Sequence, residues 1–328
     1  MATHAVPAQP PRQSRTNPLP PLTVLLASPR GFCAGVVRAI AAVEEALERF
    51  GAPVYVRRPI VHNRSVVSEL TRKGAVFVEE LEDVPEGATV LFSAHGVAPS
   101  VKLAADRQGL KWFDAVCPLV RKVHLEVIRH HREGRTVLLI GHADHPEIAG
   151  TIGHLPADAA YILSGMEDLD ALVLARHTPV AYAVQTTYSV QESEVMIAAI
   201  LTRFDDVSGP SGSDICYATT NRQAALRVIA ARADAVIVAG AAFSSNANRL
   251  ADVARRSGCA SVQLVETADE LDLDALDAVR TVALTAAAST PETSVQAIIE
   301  RLGTRFSVMV EHAEAGAETT QFRPMSFA

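Results

Sequence analysis

From Leu22 onward, short runs rich in Val, Ile and Leu alternate with longer stretches whose apolar residues recur every three to four positions. The runs at 23–27, 136–140, 235–239 and 281–285 lack the polar alternation of a half-solvated strand, which predicts strands covered on both faces. The stretches at 36–50, 246–257 and near 292–302 read as amphipathic helices. Between run and stretch lies a loop of small or polar residues. Strands that alternate with helices in this way predict parallel sheets and an α/β fold class.

The 328 residues suffice for one large α/β body or a few similar lobes. Residues 1–21 carry Pro7, Pro10, Pro11, Pro18, Pro20 and Pro21 with Arg12, Arg15 and no acid. Arginine without acid suits an organelle transit peptide, but six prolines oppose the amphipathic helix such a peptide uses, so a disordered tail is the expectation. Folding is expected to start near Leu22.

Composition then removes several function classes. Apolar residues make up 48% of the chain and charged residues 20%, as in a soluble globular protein. The 30 Lys and Arg against 37 Asp and Glu leave a net charge of −7, with no basic run to attract nucleic acid. The longest apolar stretch, 235–243, is too short to cross a bilayer, so no membrane anchor is expected. Four scattered cysteines do not make the disulfide framework of a small secreted domain and fit a reducing cytoplasm. The Asn63-Arg64-Ser65 triplet is accordingly read as a coincidental glycosylation match.

In open parallel sheets, ligands sit beyond the carboxyl ends of the strands, and the loops there hold the unusual residues. They include Pro29-Arg-Gly-Phe-Cys-Ala-Gly35, Ser93-Ala-His-Gly96, Asp114-Ala-Val-Cys-Pro118 and Gly141-His-Ala-Asp-His-Pro-Glu147. Gln185-Thr-Thr187, Asp214-Ile-Cys-Tyr-Ala-Thr-Thr-Asn-Arg222 and Phe243-Ser-Ser-Asn-Ala-Asn248 follow. Cys33, Cys117 and Cys216 stand at such junctions, 84 and 99 residues apart (33 to 117, 117 to 216). One thiol per third of the chain suggests three pseudo-equivalent lobes facing a common centre. Such a trio fits zinc with a further ligand, an iron-sulfur cluster with one iron lacking cysteine, or three independent buried thiols; spacing does not choose. Cys259 lacks the motif setting and reads as a buried thiol.

These blocks, together with Val61-His-Asn-Arg64, Phe92-Ser-Ala-His-Gly96, Phe113-Asp-Ala-Val-Cys-Pro-Leu-Val120 and Ser244-Ser-Asn-Ala-Asn248, resemble the 4-hydroxy-3-methylbut-2-enyl diphosphate reductase family from about Val24 to Leu302. The resemblance implies a three-lobed α/β trefoil with mostly parallel sheets around a central cavity. It divides the chain into a strand and loop at 22–34 joining the third lobe, a first lobe at 35–117, a second at 118–212, a third at 213–305 and a C-terminal tail at 306–328.

The resemblance further implies one 4Fe-4S cluster on Cys33, Cys117 and Cys216, with an apical iron open to the substrate. The reaction implied is reductive dehydroxylation of 4-hydroxy-3-methylbut-2-enyl diphosphate to isopentenyl and dimethylallyl diphosphates, the last step of the methylerythritol phosphate route. Glu147 matches the family's proton source, Thr186 the hydroxyl that relays to the substrate oxygen, and His145 a relay or orienting group. His62, His95, Ser244, Asn246 and Ser289 match diphosphate-binding positions, with Ser245 adjacent. Independently of any family, an acidic chain that holds a diphosphate needs helix N-termini, hydroxyls, amides and imidazoles. Ser244 also reads as an N-cap. No Gly-x-Gly-x-x-Gly fingerprint follows a strand, so electrons are expected from an external donor, a ferredoxin or flavodoxin.

In one place the chain departs from the family pattern: Ala287 stands where the family commonly has glycine. If that position needs positive φ, alanine strains the loop and displaces Ser289. Two other classes stay open, a zinc hydrolase using His62, His95, His145 and Glu147, and a non-catalytic cluster protein such as a redox sensor.

Overall fold

The computed structural model describes residues 19–327; most of the proline-rich 1–21 tail therefore lies outside the described residues. β1 (Pro21–Ser28) opens the described chain and leads through the Cys33 loop into α1 (Ala34–Phe50). A first lobe follows as β2 (Val54–Arg57), α2 (Arg64–Arg72), β3 (Ala75–Val78), β4 (Thr89–Phe92), α3 (Pro99–Arg107) and β5 (Lys111–Asp114). The second repeats the scheme with α4 (Pro118–Arg132), β6 (Thr136–Ile140), α5 (Pro146–Ile152), β7 (Ala160–Leu163), α6 (Met166–Ala171), β8 (Val180–Val184), α7 (Val190–Arg203) and β9 (Val207–Ser208). The third comprises α8 (Tyr217–Ala230), β10 (Ala235–Ala239), α9 (Ser245–Arg256), β11 (Ser261–Val265), β12 (Thr281–Ala286), α10 (Glu292–Gly303) and β13 (Ser307–Glu314).

Each lobe is one parallel sheet, ordered β3-β2-β4-β5, β7-β6-β8-β9 and β11-β10-β12-β1-β13. The three orders are the same if β1 is set aside: second strand, first, third, fourth. β1 is inserted between the third and fourth strands of the last lobe, with Thr23 opposite both Thr281 and Met309. Both faces of every sheet are covered. Leu22, Val24 and Leu26 pack on one side of the third sheet and Leu25 and Ala27 on the other. This double burial explains why the runs read as continuously apolar.

One expectation needs correction. Residues 307–314 are not a tail but β13, the counterpart of β5 and β9, paired along its length with β1. As an edge strand its side chains are mostly exposed, and its apolar run, Val308-Met309-Val310, is too short to betray it. The chain beyond it returns to the first lobe, where Met325 and Phe327 join the core formed by Val43, Val54 and Leu91. Among the described residues, no helix is long and apolar enough to cross a membrane.

Candidate functional site

Helix starts build the site. Cys33, Cys117 and Cys216 are the N-caps of α1, α4 and α8, one for each lobe-to-lobe passage. Extended backbone at each cap (ψ 165, 134 and 151) turns the chain from loop into helix there. Pro118, in the first turn of α4, is fixed at helical φ and lacks only an N–H the helix would leave unpaired. The positive ends of three helix dipoles thus face the sulfurs, an arrangement that favours negative charge.

The thiols lie close together. A Cβ added to Gly35 would stand 2.9 Å from the Cys117 sulfur and 3.7 Å from that of Cys33, so only glycine leaves room there. Upstream, Gly31 (φ 66) makes the left-handed turn that aims the loop, and its N–H donates to Ala286 O at 3.1 Å. Burial pushes Cys117 up to about 12 and Cys216 up to about 11, and the neighbouring thiols add to both shifts. Thr219 opposes the shift at Cys216 through its N–H (3.4 Å) and hydroxyl (3.2 Å). Sulfurs that repel one another's charge in a dry pocket require a cationic guest to ionise. Among the described residues, no group of three or more His, Cys, Asp and Glu is placed to hold a single metal ion. Cys259 stands apart in the third lobe's core, its thiol donating to Ser261 O at 3.2 Å.

All twelve sequence-derived positions line one cavity. Beside Cys216 is Glu147, 2% exposed, in the first turn of α5. Its two oxygens accept from Thr186 N–H (2.7 Å) and the Thr186 hydroxyl (2.8 Å). Both bonds favour the carboxylate, but burial outweighs them and raises the pKa to about 7. Glu147 N–H in turn donates to His145 Nδ1 at 3.2 Å, so that nitrogen is bare and the proton of the neutral ring sits on Nε2.

The far end holds His62, His95 and His145, their ring centroids 4.3 to 5.7 Å apart. Burial lowers His62 to about 4 and His145 to about 3, and takes His95 well below its ordinary value. The ring nitrogens of His62 and Nε2 of His145 are buried without a protein partner. Buried N–H groups left unpaired carry a penalty that an oxyanion would remove. Ser289 donates to His62 O at 2.9 Å, which fixes that loop beside the cavity. Asn246 holds the adjoining wall, accepting from Ala288 N–H (3.0 Å) and donating to Thr219 Oγ1 (3.3 Å). Ser244 caps α9 through Ala247 N–H at 3.4 Å, and its hydroxyl proton remains available. Ser245 joins Gln185 and Thr187 in a cluster of hydrogen bonds at 2.8 to 3.4 Å.

The condition under which Ala287 would strain its loop is not met. Among the described residues, the non-glycine with positive φ is Arg58 (φ 61), so Ala287 has ordinary backbone. Its methyl occupies space opened by Gly240, where an added Cβ would stand 3.0 Å from it. Ser289 keeps its place on the cavity wall. Asn63, whose triplet was read as a coincidental glycosylation match, is buried and caps α2 by accepting from Val66 N–H at 3.1 Å.

Wall residues that were not singled out from sequence include Thr187, Tyr217, Thr219 and Phe322. The first three lie inside the motifs that were read, one or three positions from a selected residue. Phe322 carried no signal, since it sits in a segment without periodicity.

A family model described as LytB protein matches residues 24–303, stopping short of β13 and the segment after it. The curated 4-hydroxy-3-methylbut-2-enyl diphosphate reductase of Phenylobacterium zucineum is 51% identical over 304 residues, which are 93% of this chain and 96% of that one. The enzyme of the same name from Paracoccus denitrificans is 49% identical over the same shares. The solved structure of the E-1-hydroxy-2-methyl-but-2-enyl-4-diphosphate reductase from Plasmodium falciparum matches with a TM-score of 0.90 at 36% identity, covering 93% of this chain and 96% of its own. A second solved structure, titled as (E)-4-hydroxy-3-methyl-but-2-enyl diphosphate reductase, the terminal enzyme of the non-mevalonate pathway, gives a TM-score of 0.61 at 32% identity. That match covers 86% of this chain and 99% of the other.

Proposed function

The chain belongs to the LytB protein family, and from that premise we propose that it reduces 4-hydroxy-3-methylbut-2-enyl diphosphate to isopentenyl and dimethylallyl diphosphates. The carbon-oxygen bond of the allylic alcohol breaks, a carbon-hydrogen bond forms, and two electrons with two protons enter as one water leaves. The observation that carries this reading is the three-thiol cavity itself, with a raised carboxyl beside the sulfurs and unpaired imidazoles beyond it. Cys33, Cys117 and Cys216 would hold a 4Fe-4S cluster, which three helix N-termini and three ionisable sulfurs suit. When bound, such a cluster with one iron free of protein ligands supplies a Lewis-acidic site and electrons for cleaving the carbon-oxygen bond.

The chain's own residues perform the rest. Glu147, with a pKa near 7, keeps a proton available at neutral pH, and hydroxide needs one in order to leave. Thr186 Oγ1, 2.8 Å from the carboxyl, takes that proton and passes its own to the substrate oxygen. His145, anchored through Nδ1, presents Nε2–H to the cavity and orients the bound oxygen. His62, His95, Ser244, Ser245, Asn246 and Ser289 offer the diphosphate neutral donors, which avoids burying lysine or arginine. Apolar lining beside the sulfurs, from Val36 and Val120, excludes bulk water.

A ferredoxin or flavodoxin in a reducing cytoplasm would serve as electron donor. Oxygen-free purification tests the reading: a brown protein with about four irons and four sulfides per chain that turns over the hydroxylated diphosphate with dithionite supports it. A colourless, zinc-loaded or catalytically silent protein rejects it.

A further inference from the structure

The segment after β13 lies beyond the family match, yet it forms part of the cavity wall. It leaves the third lobe where Ala315 N–H donates to Ser28 O (2.8 Å) and ends with Met325 and Phe327 in the first lobe's core. Two clasps hold it in between. Arg222, 0% exposed, donates to Gly31 O at 2.7 and 3.1 Å and to Glu318 Oε1 at 2.8 Å; Asn221 donates to the same carboxylate oxygen at 3.2 Å. One guanidinium thus ties this segment to the loop that carries Cys33 and to the helix that Cys216 caps. At the second clasp, Arg38 Nε donates to Arg323 O (3.1 Å). Its Nη1 donates to Ala115 O (3.3 Å) and Val116 O (3.1 Å), just before Cys117.

Phe322 sits between the two clasps. It lines the thiol cavity, and it also lines an open cleft on the outer side formed with Val37, Arg38 and Ala41 of α1. Cavity and cleft share three residues: Cys33, Tyr217 and Phe322. Tyr217 and Phe322 thus border both spaces beside Cys33. Tyr217 is pinned there by Ala34 N–H, which donates to its hydroxyl at 3.0 Å, whereas Phe322 is carried by the clasped segment.

We propose that Phe322, positioned by the Glu318–Arg222 clasp, is the partition that keeps water and oxidants from the Cys33 side of the thiol site. The C-terminal segment is then a working part of that site. For the loaded enzyme the proposal rests on the cofactor reading above, but the partition itself is a property of the chain and is tested without metal. The full-length metal-free chain is treated under reductant-free, oxygen-free conditions with a maleimide, and labelling at each cysteine is followed by peptide mass.

Phe322→Ala is expected to speed labelling of Cys33 about tenfold, since local opening governs access to buried groups. Glu318→Gln, which keeps the shape and loses the charge, shifts it in the same direction by less. Phe322→Leu restores a rate close to the parent's, and Thr319→Ala, at an exposed position off the cleft, changes nothing. Equal Cys33 rates in the parent and Phe322→Ala overturn the proposal. A rise matched at Cys259, in the third lobe's core, overturns it too, because that marks general loosening. In the reconstituted protein the same variants lose their iron-sulfur absorbance in air several-fold faster than the parent. A parent that takes up no iron, with the labelling order intact, defeats the cofactor reading and leaves the partition standing.

Discussion

The sulfur end of the cavity and its imidazole end are both kept uncharged by burial, and they answer a guest in opposite ways. Burial lifts Cys117 to about 12 and Cys216 to about 11, so those sulfurs hold their protons; it lowers His62 to about 4 and His145 to about 3, so those rings refuse theirs. At the sulfur end, three helix N-termini stand ready for the charge that appears once protons are displaced. At the imidazole end the ready groups are unpaired ring nitrogens, hydroxyls and an amide. Desolvation thus leaves thiols that need a cation in order to ionise at one end and neutral donors open to an anion at the other. Glu147 lies between them, near 7 and able to go either way.

Removing a sulfur tests the comparison most severely. Cys33→Ala, Cys117→Ala and Cys216→Ala should each abolish the intact cluster, whereas Cys259→Ala should retain it; iron and sulfide analysis decides. Equal loss at Cys259 would break the distinction between the cavity thiols and an ordinary core thiol.

Next comes the group in the middle. Glu147→Gln should keep cluster and substrate binding but lose turnover by roughly 10²- to 10⁴-fold, the range for a positioned acid. The carboxyl's folded pKa is raised, so the protonated form prevails below about 7 and is lost above it. Parent turnover should therefore fall as pH climbs through 7, and the variant's residual rate should stay flat across that range. By the same raised pKa, the contribution of Glu147 to the stability of the metal-free fold is fully present below the ordinary value of 4.5 and is lost as pH rises through about 7. Urea titrations of parent and Glu147→Gln at several pH values check this sign.

A smaller effect is expected at the imidazole end. His62→Ala should weaken binding of inorganic pyrophosphate about 10- to 100-fold, the cost of one or two charge-assisted hydrogen bonds. A bound anion raises the depressed histidine pKa values toward neutrality, so binding should take up protons and tighten as pH falls. Calorimetry in two buffers of different ionisation enthalpy measures that uptake; proton release would reverse the picture. The least effect belongs to Ala287→Gly, which removes a fully buried methyl and loosens the backbone for about 1 kcal/mol of stability, leaving pyrophosphate affinity unchanged.

Much of this architecture could be read from the residues. Strands buried on both faces announce themselves as unbroken Val, Ile and Leu runs, and β6 and β10 start and stop where those runs do. Helix starts at Cys117 and His145 carry the proline that marks a first turn. β13 escaped because an edge strand follows its neighbour's main chain rather than its own apolar pattern. Phe322 escaped for a similar reason, as its place is set by Arg222 and Arg38, about 100 and 285 residues away in the chain. The effect of Ala287 could not be weighed from sequence either, since Gly240 supplies its space from another strand's end.

The position of β1 also governs when this molecule is finished. Its partners are residues 281–284 and 307–314, so β1 has no strand neighbour until residue 281 and those after it have been translated. Cys33, whose N–H donates to Ala288 O, shares that delay, and so does α8, which Cys216 caps and which packs on β1 and β12; the segment bearing Cys117 can settle earlier. The cavity is therefore completed in a single late event of synthesis, and a nascent chain that stalls before residue 281 displays an unpaired apolar strand in place of a binding site.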